Sequence, residues 1–230
     1  MADNRACAVI LAAGSGTRMG AATTKQKITL LGKSVLRRAL EAFEAASTIN
    51  SIVVVTRADE IEFARGEAKG ITKLHAITVG GSCRAISALA GFEAMPKEAD
   101  VIAVHDAARC LISSSDIDKI VSYAYKYGAA IAASRITDTL KKCSEDGVVS
   151  DTVKRENMFA AATPQAFTVG NYASAVAAAG ELDAAITDDS MLMERAGIGV
   201  RCVETESVNL KITTPSDLLY AEYLLTARGE

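Results

Sequence analysis

The chain has few of the residues on which many active sites depend. Among its 230 residues there is no tryptophan, there are two histidines and three prolines, and aromatic residues make up 5%. His75 and His105 form no constellation with serine and aspartate of the kind that activates a nucleophile. Alanine and branched aliphatic residues therefore have to build the core, as is typical of helices that lie on a parallel sheet.

Charge and cysteine usage exclude further classes of protein. The formal net charge of −3 provides no general attraction to nucleic acid or to an anionic membrane, so a polyanion has to be bound by a local cluster of cations. No apolar run approaches the length of a membrane span. The five cysteines are scattered and form no C-x-x-C pair, which argues against a metal site and favours a reduced, cytoplasmic protein.

The most informative segment is an apolar run that ends in a glycine-rich loop, ACAVILAAGSGTRMG at positions 6–20. Eight apolar residues bounded by glycine predict a strand buried on both faces, as in a parallel sheet. Backbone N–H groups after such a strand form a concavity for anions, and Arg18 and Lys25 add positive charge beside it. The segment therefore predicts a site that holds a polyphosphate.

Two common phosphate-binding loops do not fit these residues. A P-loop that ends at Gly32-Lys33-Ser34 would need a glycine where Lys27 stands. A dinucleotide fingerprint would need its third glycine at Met19, and Gly20 comes one residue late. The spacing therefore disfavours a nicotinamide-dependent dehydrogenase.

The rest of the chain alternates strand-like runs with segments of helical period. Apolar runs that predict further strands occupy residues 52–55, 76–79, 101–104 and 129–133. Repeated strand–helix–strand units predict one α/β domain over residues 1–230, with a Rossmann-like, mostly parallel sheet and helices on both faces. Ligands of such sheets bind beyond the carboxyl ends of the strands, so we expect Gly14, Gly81 and Asp106 at one common site.

Residues 136–155 interrupt this alternation. Two β-prone runs flank Asp146-Gly147, and Asp-Gly between such runs is a strong signal for a hairpin. The hairpin is polar on both strands and too small to be stable alone. One interpretation is a solvated excursion over its own domain; we favour the other, a protruding arm that packs on a second subunit of a homodimer.

Together these motifs resemble those of the cytidylyltransferases that act on sugar and polyol phosphates, and most closely the 2-C-methyl-D-erythritol 4-phosphate cytidylyltransferase family. The resemblance runs from Ala8 to about Leu225. The segments that carry it are LAAGSGTRM at 11–19, Lys25-Gln26, GGSCRAIS at 80–87, HDAAR at 105–109, Asp138-Thr139, TPQ at 163–165, Thr187-Asp188 and NLKIT at 209–213.

The resemblance implies a reaction between CTP and a polyol phosphate. The family transfers the cytidylyl group of CTP to 2-C-methyl-D-erythritol 4-phosphate, giving 4-CDP-2-C-methyl-D-erythritol and pyrophosphate in non-mevalonate isoprenoid synthesis. It also implies a homodimer and a Mg²⁺ ion held mainly by the CTP phosphates, with Asp106 as its protein ligand. Ribitol 5-phosphate or another polyol phosphate is the alternative acceptor, and a non-catalytic nucleotide sensor is the alternative from another class.

The resemblance also implies roles for individual residues. Arg18 and Lys25 correspond to the residues that stabilise the transition state at the α-phosphate. Lys211 and Arg155 correspond to those that position the polyol phosphate, and Arg155 and Thr139 reach from the arm into the neighbouring subunit's site. The positions that correspond to the nucleotide pocket are Ala12, Ala13, Gly14, Ser15, Gly16, Gly81, Ser82, Ser87 and Asp106, and Asp106 also contacts the polyol.

Three positions depart from the family pattern. Thr24 precedes Lys25 where the family has proline, which would preset the backbone, so we expect the loop that carries Lys25 to be less well fixed. Cys110 follows Arg109 where the family has another proline, and we interpret this cysteine as a small apolar filler. An acid that is common in the family at the position of Ser82 is missing.

Overall fold

The structure is a computed structural model, and it describes residues 5–14 and 24–229. The strands of the described residues are β1 (Ala6–Leu11), β2 (Thr29–Leu30), β3 (Lys33–Ser34), β4 (Ile49–Thr56), β5 (Leu74–Val79), β6 (Val101–Asp106), β7 (Ala129–Arg135), β8 (Leu140–Cys143), β9 (Val149–Val153), β10 (Phe159–Thr168) and β11 (Arg201–Glu204). The α-helices are α1 (Val35–Ala45), α2 (Ile61–Glu67), α3 (Arg84–Glu93), α4 (Ser114–Tyr127), α5 (Val169–Ala179), α6 (Asp189–Arg195) and α7 (Pro215–Ala227). Short 3-10 turns occupy Lys25–Lys27 and Ala58–Glu60.

Seven of these strands form one sheet, in the order β11-β7-β10-β6-β1-β4-β5. β1 pairs in parallel with β4 on one side and β6 on the other, and β4 pairs in parallel with β5. β11 is parallel to β7, whereas β10 lies antiparallel between β6 and β7. The predicted Rossmann-like, mostly parallel α/β sheet is therefore confirmed.

Helices cover both faces of the sheet because successive residues of a strand point to opposite sides. In β1, Ala8 and Ile10 pack with α1 and α4, while Cys7 and Val9 pack with α3 and α5. All six residues of β1 are buried, as its apolar sequence predicts. The chain leaves β1 towards β4 and later returns to the other side at β6, so the crevice between the carboxyl ends of β1 and β6 is the topological switch point.

The predicted hairpin is also present. β8 and β9 form a separate two-stranded antiparallel sheet, closed by a hydrogen bond from the Ser144 N–H to the Val148 oxygen at 3.0 Å. Gly147 has a φ of +83°, which glycine adopts without steric cost. Most side chains of both strands are exposed, including Val149 with 55% of its surface accessible. Packing of this arm on a second subunit stays a prediction.

None of the helices in the described part of the chain combines the length and apolar character that crossing a membrane requires.

Candidate active site

A cavity of about 450 Å³ opens at the carboxyl ends of β1, β5 and β6. Gly14 follows β1, Gly81 follows β5 and Asp106 ends β6, and the cavity wall includes all three. This is the convergence of strand ends that the sequence pattern predicts. The residues that line the cavity are Leu11, Ala13, Gly14, Lys25, Gln26, Gly81, Ser82, Cys83, Arg84, Ser87, Asp106, Ala108 and Lys211.

Asp106 lies between two cations. Its Oδ1 accepts a hydrogen bond from Arg84 Nε at 3.1 Å, and its Oδ2 accepts one from Lys211 Nζ at 2.7 Å. Burial alone would raise the pKa of Asp106, but the positive charges of Arg84 and Lys211 outweigh burial and hold the pKa well below its usual range. Asp106 is therefore ionised at neutral pH, and Lys211 is kept beside it.

Arg84 connects this carboxylate to a second one deeper in the protein. Its Nη1 donates to Asp189 Oδ2 at 2.7 Å, and the Asp189 side chain is 1% exposed. Tyr172 donates its hydroxyl to the other Asp189 oxygen at 3.1 Å. Charges thus alternate in sign from Asp189 through Arg84 and Asp106 to Lys211. The sequence patterns alone do not assign a role to Arg84. The indication that the sequence offers is its position within the segment GGSCRAIS at 80–87, shortly after Gly80-Gly81.

Lys25 also lines the cavity. It lies on the 3-10 turn Lys25–Lys27 and is 8% exposed, and its Nζ donates to the Ile212 oxygen at 3.4 Å. The Ile212 N–H in turn donates to the Ala108 oxygen at 2.8 Å, which holds the segment that carries Lys211 against the cavity wall. Two lysines from distant parts of the chain therefore meet at one cavity.

Another part of the cavity wall is built around glycine. The Gly81 N–H donates to Ser87 Oγ at 3.1 Å, and that hydroxyl donates to the Cys83 oxygen at 2.9 Å. A Cβ at Gly81 would lie 2.1 Å from the Ile86 side chain, so only glycine fits there. Ser87 therefore braces the loop between β5 and α3, and its hydroxyl is engaged within the protein.

Thr163 organises the side of the site behind Asp106. Its Oγ1 accepts the Asp106 N–H at 3.0 Å and lies 3.1 Å from His105 Nδ1, and its carbonyl accepts Asn209 Nδ2 at 2.8 Å. His105 is completely buried, and burial, helped by the charge of Arg109, lowers its pKa to about 3. His105 is therefore neutral at physiological pH and acts here as a structural hydrogen-bonding group.

Three other predicted site residues that the structure describes, Ala12, Thr139 and Arg155, do not line the cavity. Ala12 is buried beside the cavity, and its N–H extends the β1 ladder to the Val55 oxygen at 2.7 Å. Thr139 and Arg155 are exposed on the arm and do not line this chain's own cavity; Arg155 donates to the Thr137 oxygen. The three remaining predicted residues lie outside the described part of the chain: Ser15, Gly16 and Arg18.

The donors in the cavity fit a metal ion that arrives with the nucleotide. The described residues contain no group of three or more histidine, cysteine, aspartate or glutamate side chains with the geometry of a metal site. Asp106 is the one carboxylate among the lining residues. Mg²⁺ is commonly held by one or two carboxylates together with substrate phosphates and water, which is the arrangement that Asp106 permits.

Comparisons with known proteins show which family the chain matches. The family model described as IspD: 2-C-methyl-D-erythritol 4-phosphate cytidylyltransferase matches residues 6–227. A curated relative of that name from Pelotomaculum thermopropionicum is 40% identical over 228 residues, covering 98% of this chain and 96% of the relative. The corresponding protein of Thermosynechococcus vestitus is 39% identical over 225 residues, covering 96% of each chain.

A comparison with solved structures leads to the same kind of enzyme. The crystal structure of 4-diphosphocytidyl-2C-methyl-D-erythritol synthase from Anaerococcus prevotii has a TM-score of 0.83 at 29% sequence identity and covers 97% of both chains. Because the family model spans almost the whole chain and relatives reach 40% identity over nearly their full length, the chain belongs to the 2-C-methyl-D-erythritol 4-phosphate cytidylyltransferase family.

Proposed function

We propose that the cavity at the ends of β1, β5 and β6 is the place where this chain performs the reaction of its family. The chain is a CTP-dependent cytidylyltransferase of isoprenoid biosynthesis, which joins CTP to 2-C-methyl-D-erythritol 4-phosphate and releases pyrophosphate. One observation carries the assignment of the cavity: Lys25, Lys211 and the ion-paired Asp106 meet there from three distant segments. A local cluster of cations is what the binding of two polyanions requires.

The reaction needs charge neutralisation more than it needs a base. The second pKa of a phosphate monoester is about 6, so the acceptor is largely dianionic at neutral pH and is already a nucleophile. The obstacles are the repulsion between two polyanions and the charge that develops on the α-phosphate, and cations held in place lower both. The neutral, buried His105 fits this scheme, because no proton has to leave the acceptor.

Each cation has a distinct role in this proposal. Lys25 stabilises the charge that develops on the α-phosphate, together with Arg18 of the glycine loop. Lys211 holds the phosphate of the polyol, and that phosphate replaces Asp106 as its counter-ion. Asp106 then becomes available for substrate hydroxyls or for the metal. When bound, Mg²⁺ neutralises part of the triphosphate charge.

The nucleoside of CTP is proposed to lie against the glycine-lined wall. The supporting observation is the close approach of backbone there, since Gly81 admits no side chain. Gly14 follows β1 and Gly81 follows β5, both line the cavity, and Ser82 is exposed just before α3. The family resemblance adds Ser15 and Gly16 to this pocket.

The arm at 136–155 is proposed to complete the site of a second subunit in a homodimer. A two-stranded hairpin is not stable alone, and this one exposes Val148 and Val149, with 62% and 55% of their surfaces accessible. Arg155 and Thr139 do not reach their own chain's cavity, which fits a role in the partner's site.

Cytoplasmic localisation is also part of the proposed function, and the five free cysteines support it.

Steady-state turnover tests the site. With CTP and 2-C-methyl-D-erythritol 4-phosphate, and pyrophosphate as the measured product, Lys25→Ala is expected to lower kcat about a hundredfold. Lys97→Ala, at an exposed lysine outside the cavity, serves as the matched control. Equal rates for Lys25→Ala and the control would refute the role of Lys25. Ribitol 5-phosphate, offered in place of the polyol, is expected to be the poorer substrate.

Mixing two inactive variants tests the arm. If arms cross between subunits, a dimer of one Lys25→Ala chain and one Arg155→Ala chain contains one intact site. Random re-association then restores about a quarter of the wild-type activity, because half of the dimers are mixed and each has one working site of two. If the mixture remains as inactive as its components, the arm does not serve a partner's site.

A further inference from the structure

The turn that carries Lys25 is held from outside the cavity. Thr24 precedes this 3-10 turn in an extended conformation, with φ −67° and ψ 150°. The Lys27 N–H donates to the Thr24 oxygen at 3.0 Å, and the Ile28 N–H donates to the Lys25 oxygen at 3.2 Å. The backbone of Lys25 is therefore set by the residues on either side of it.

Both sides of the turn are attached to the same carboxylate. Glu60 ends the 3-10 turn Ala58–Glu60 just before α2, and it is 2% exposed. Its Oε1 accepts the Thr24 hydroxyl at 2.5 Å and forms an ion pair with Lys27 Nζ at 3.3 Å. Lys27 Nζ also lies 5.3 Å from the centre of the Phe63 ring, on α2.

The cavity side of the turn is fixed by a third contact. Gln26 is 6% exposed and donates from Nε2 to the Gly14 oxygen at 3.2 Å. Glu60 therefore holds the turn to α2, while Gln26 holds it to the end of β1. A lysine side chain has four rotatable bonds, so the position of its ammonium depends on how firmly its backbone is held.

We propose that Glu60 is a positioning residue for cytidylyl transfer. Through the Thr24 hydroxyl and the Lys27 ammonium, Glu60 fixes the turn from which Lys25 reaches the α-phosphate. The φ of Thr24 matches the angle that a proline ring would impose, so the hydrogen bond to Glu60 maintains a conformation that proline would fix covalently. The inference rests on the proposed role of Lys25.

Removing the Thr24 hydroxyl is the direct test. Thr24→Val keeps the shape of the side chain and removes the donor, and we expect kcat to fall about tenfold, because small displacements of a catalytic group are costly. The KM for CTP is expected to change less than about twofold, because Lys25 acts on the transition state. Glu60→Gln keeps an acceptor for Thr24 but loses the charge that faces Lys27, so its effect should be smaller. Glu62→Gln is the matched control, since this exposed carboxylate pairs with Arg65 instead.

A double-mutant cycle separates positioning from a general effect on the fold. In a Lys25→Ala background, Thr24→Val is expected to cause no further loss of kcat, because the group that it displaces is absent. An equal fall of kcat in both backgrounds would overturn the proposal, as would a wild-type kcat for Thr24→Val alone. The role of Lys25 would survive either result, whereas wild-type turnover of Lys25→Ala would remove both. Thermal unfolding of each variant verifies that the chain remains folded.

Thr24→Pro provides the complementary test. The native φ of −67° accommodates the ring, so this variant is expected to retain turnover within about twofold of wild type without the hydroxyl. If Thr24→Pro loses as much activity as Thr24→Val, the hydrogen bond does not act by fixing the backbone, and the proposal is wrong.

Discussion

His105 makes the stability of the folded chain depend on pH in a predictable way. The imidazole is completely buried, and burial lowers its pKa to about 3, while the unfolded chain has the ordinary value of about 6.5. Between these values the unfolded state binds a proton that the native state does not bind. The free energy of unfolding therefore rises with pH in this window and falls as the solution is acidified.

The size of the effect follows from the two pKa values. Acidification from pH 7 to pH 5 is expected to remove about 2 kcal/mol of stability through His105. Any native pKa below about 4 gives nearly the same result, because the native state then stays unprotonated at pH 5. A change of this size is a large part of the stability of an ordinary domain, which is about 5–15 kcal/mol.

Urea unfolding of wild type and His105→Asn at the two pH values measures this quantity. Asparagine places its amide near the position of Nδ1, so it can still form a hydrogen bond with the Thr163 hydroxyl, but it does not titrate. We expect the wild type to lose about 2 kcal/mol more than the variant between pH 7 and pH 5. His75 is present in both chains and cancels from the comparison. If both chains lose the same amount, His105 is not held in its neutral form and the reasoning fails.

Three further predictions follow from the packing and charges. Gly91→Ala would place a Cβ 2.2 Å from Val9 Cγ1, so the free energy of unfolding in urea should fall by about 1–3 kcal/mol. Gly199→Ala serves as the control, because a Cβ at this position would meet no atom within 4 Å. Asp106→Asn leaves two cations without their shared counter-ion, so we expect a loss of about 3 kcal/mol in urea unfolding together with a large fall in kcat/KM. A chelator should stop turnover until Mg²⁺ is added back, while the unfolding temperature of the substrate-free enzyme should not move; a lower temperature would reveal a structural metal.

Local sequence signals predicted the elements that frame the site. β1 is an uninterrupted apolar run, and the carboxyl ends of β1, β5 and β6 carry glycine or aspartate in the sequence. The start of α7 also has a local signal, because Thr214 and Asp217 form a capping box and Pro215 occupies the first helical position. Such features are encoded within a few residues, so one sequence is enough to read them.

β10 shows where local signals fail. Pro164 lies in the middle of this strand, and proline in a run of residues argues against a central strand because it donates no ladder hydrogen bond. The structure accommodates it with a register shift between Ala161 and Gln165, where the pairing with β7 is interrupted. The antiparallel strand was therefore not predicted, although the mostly parallel character of the sheet was.

The contacts that join distant segments could not be read from the sequence either. Arg84 and Asp189 are 105 residues apart, and nothing near either residue indicates its partner. The absence of proline at Thr24 was visible and predicted a loosely held turn, whereas the acceptor of its hydroxyl, Glu60, lies 36 residues away. The sequence identifies which residue types are present, and tertiary packing decides which of them meet.

The alternation of charge at the site explains how the chain keeps several cations together in one cavity before anionic ligands bind. Cations grouped in a partly buried cavity repel one another and are costly to desolvate, so they need counter-ions within the protein. Asp189 and Asp106 supply these counter-ions to Arg84, and Asp106 also pairs with Lys211. An incoming phosphate offers Lys211 more negative charge than one carboxylate does, and it leaves the Arg84 pairs intact. On this reasoning, substrate binding exchanges one ion pair for another, and the cations do not have to be assembled at the moment of reaction.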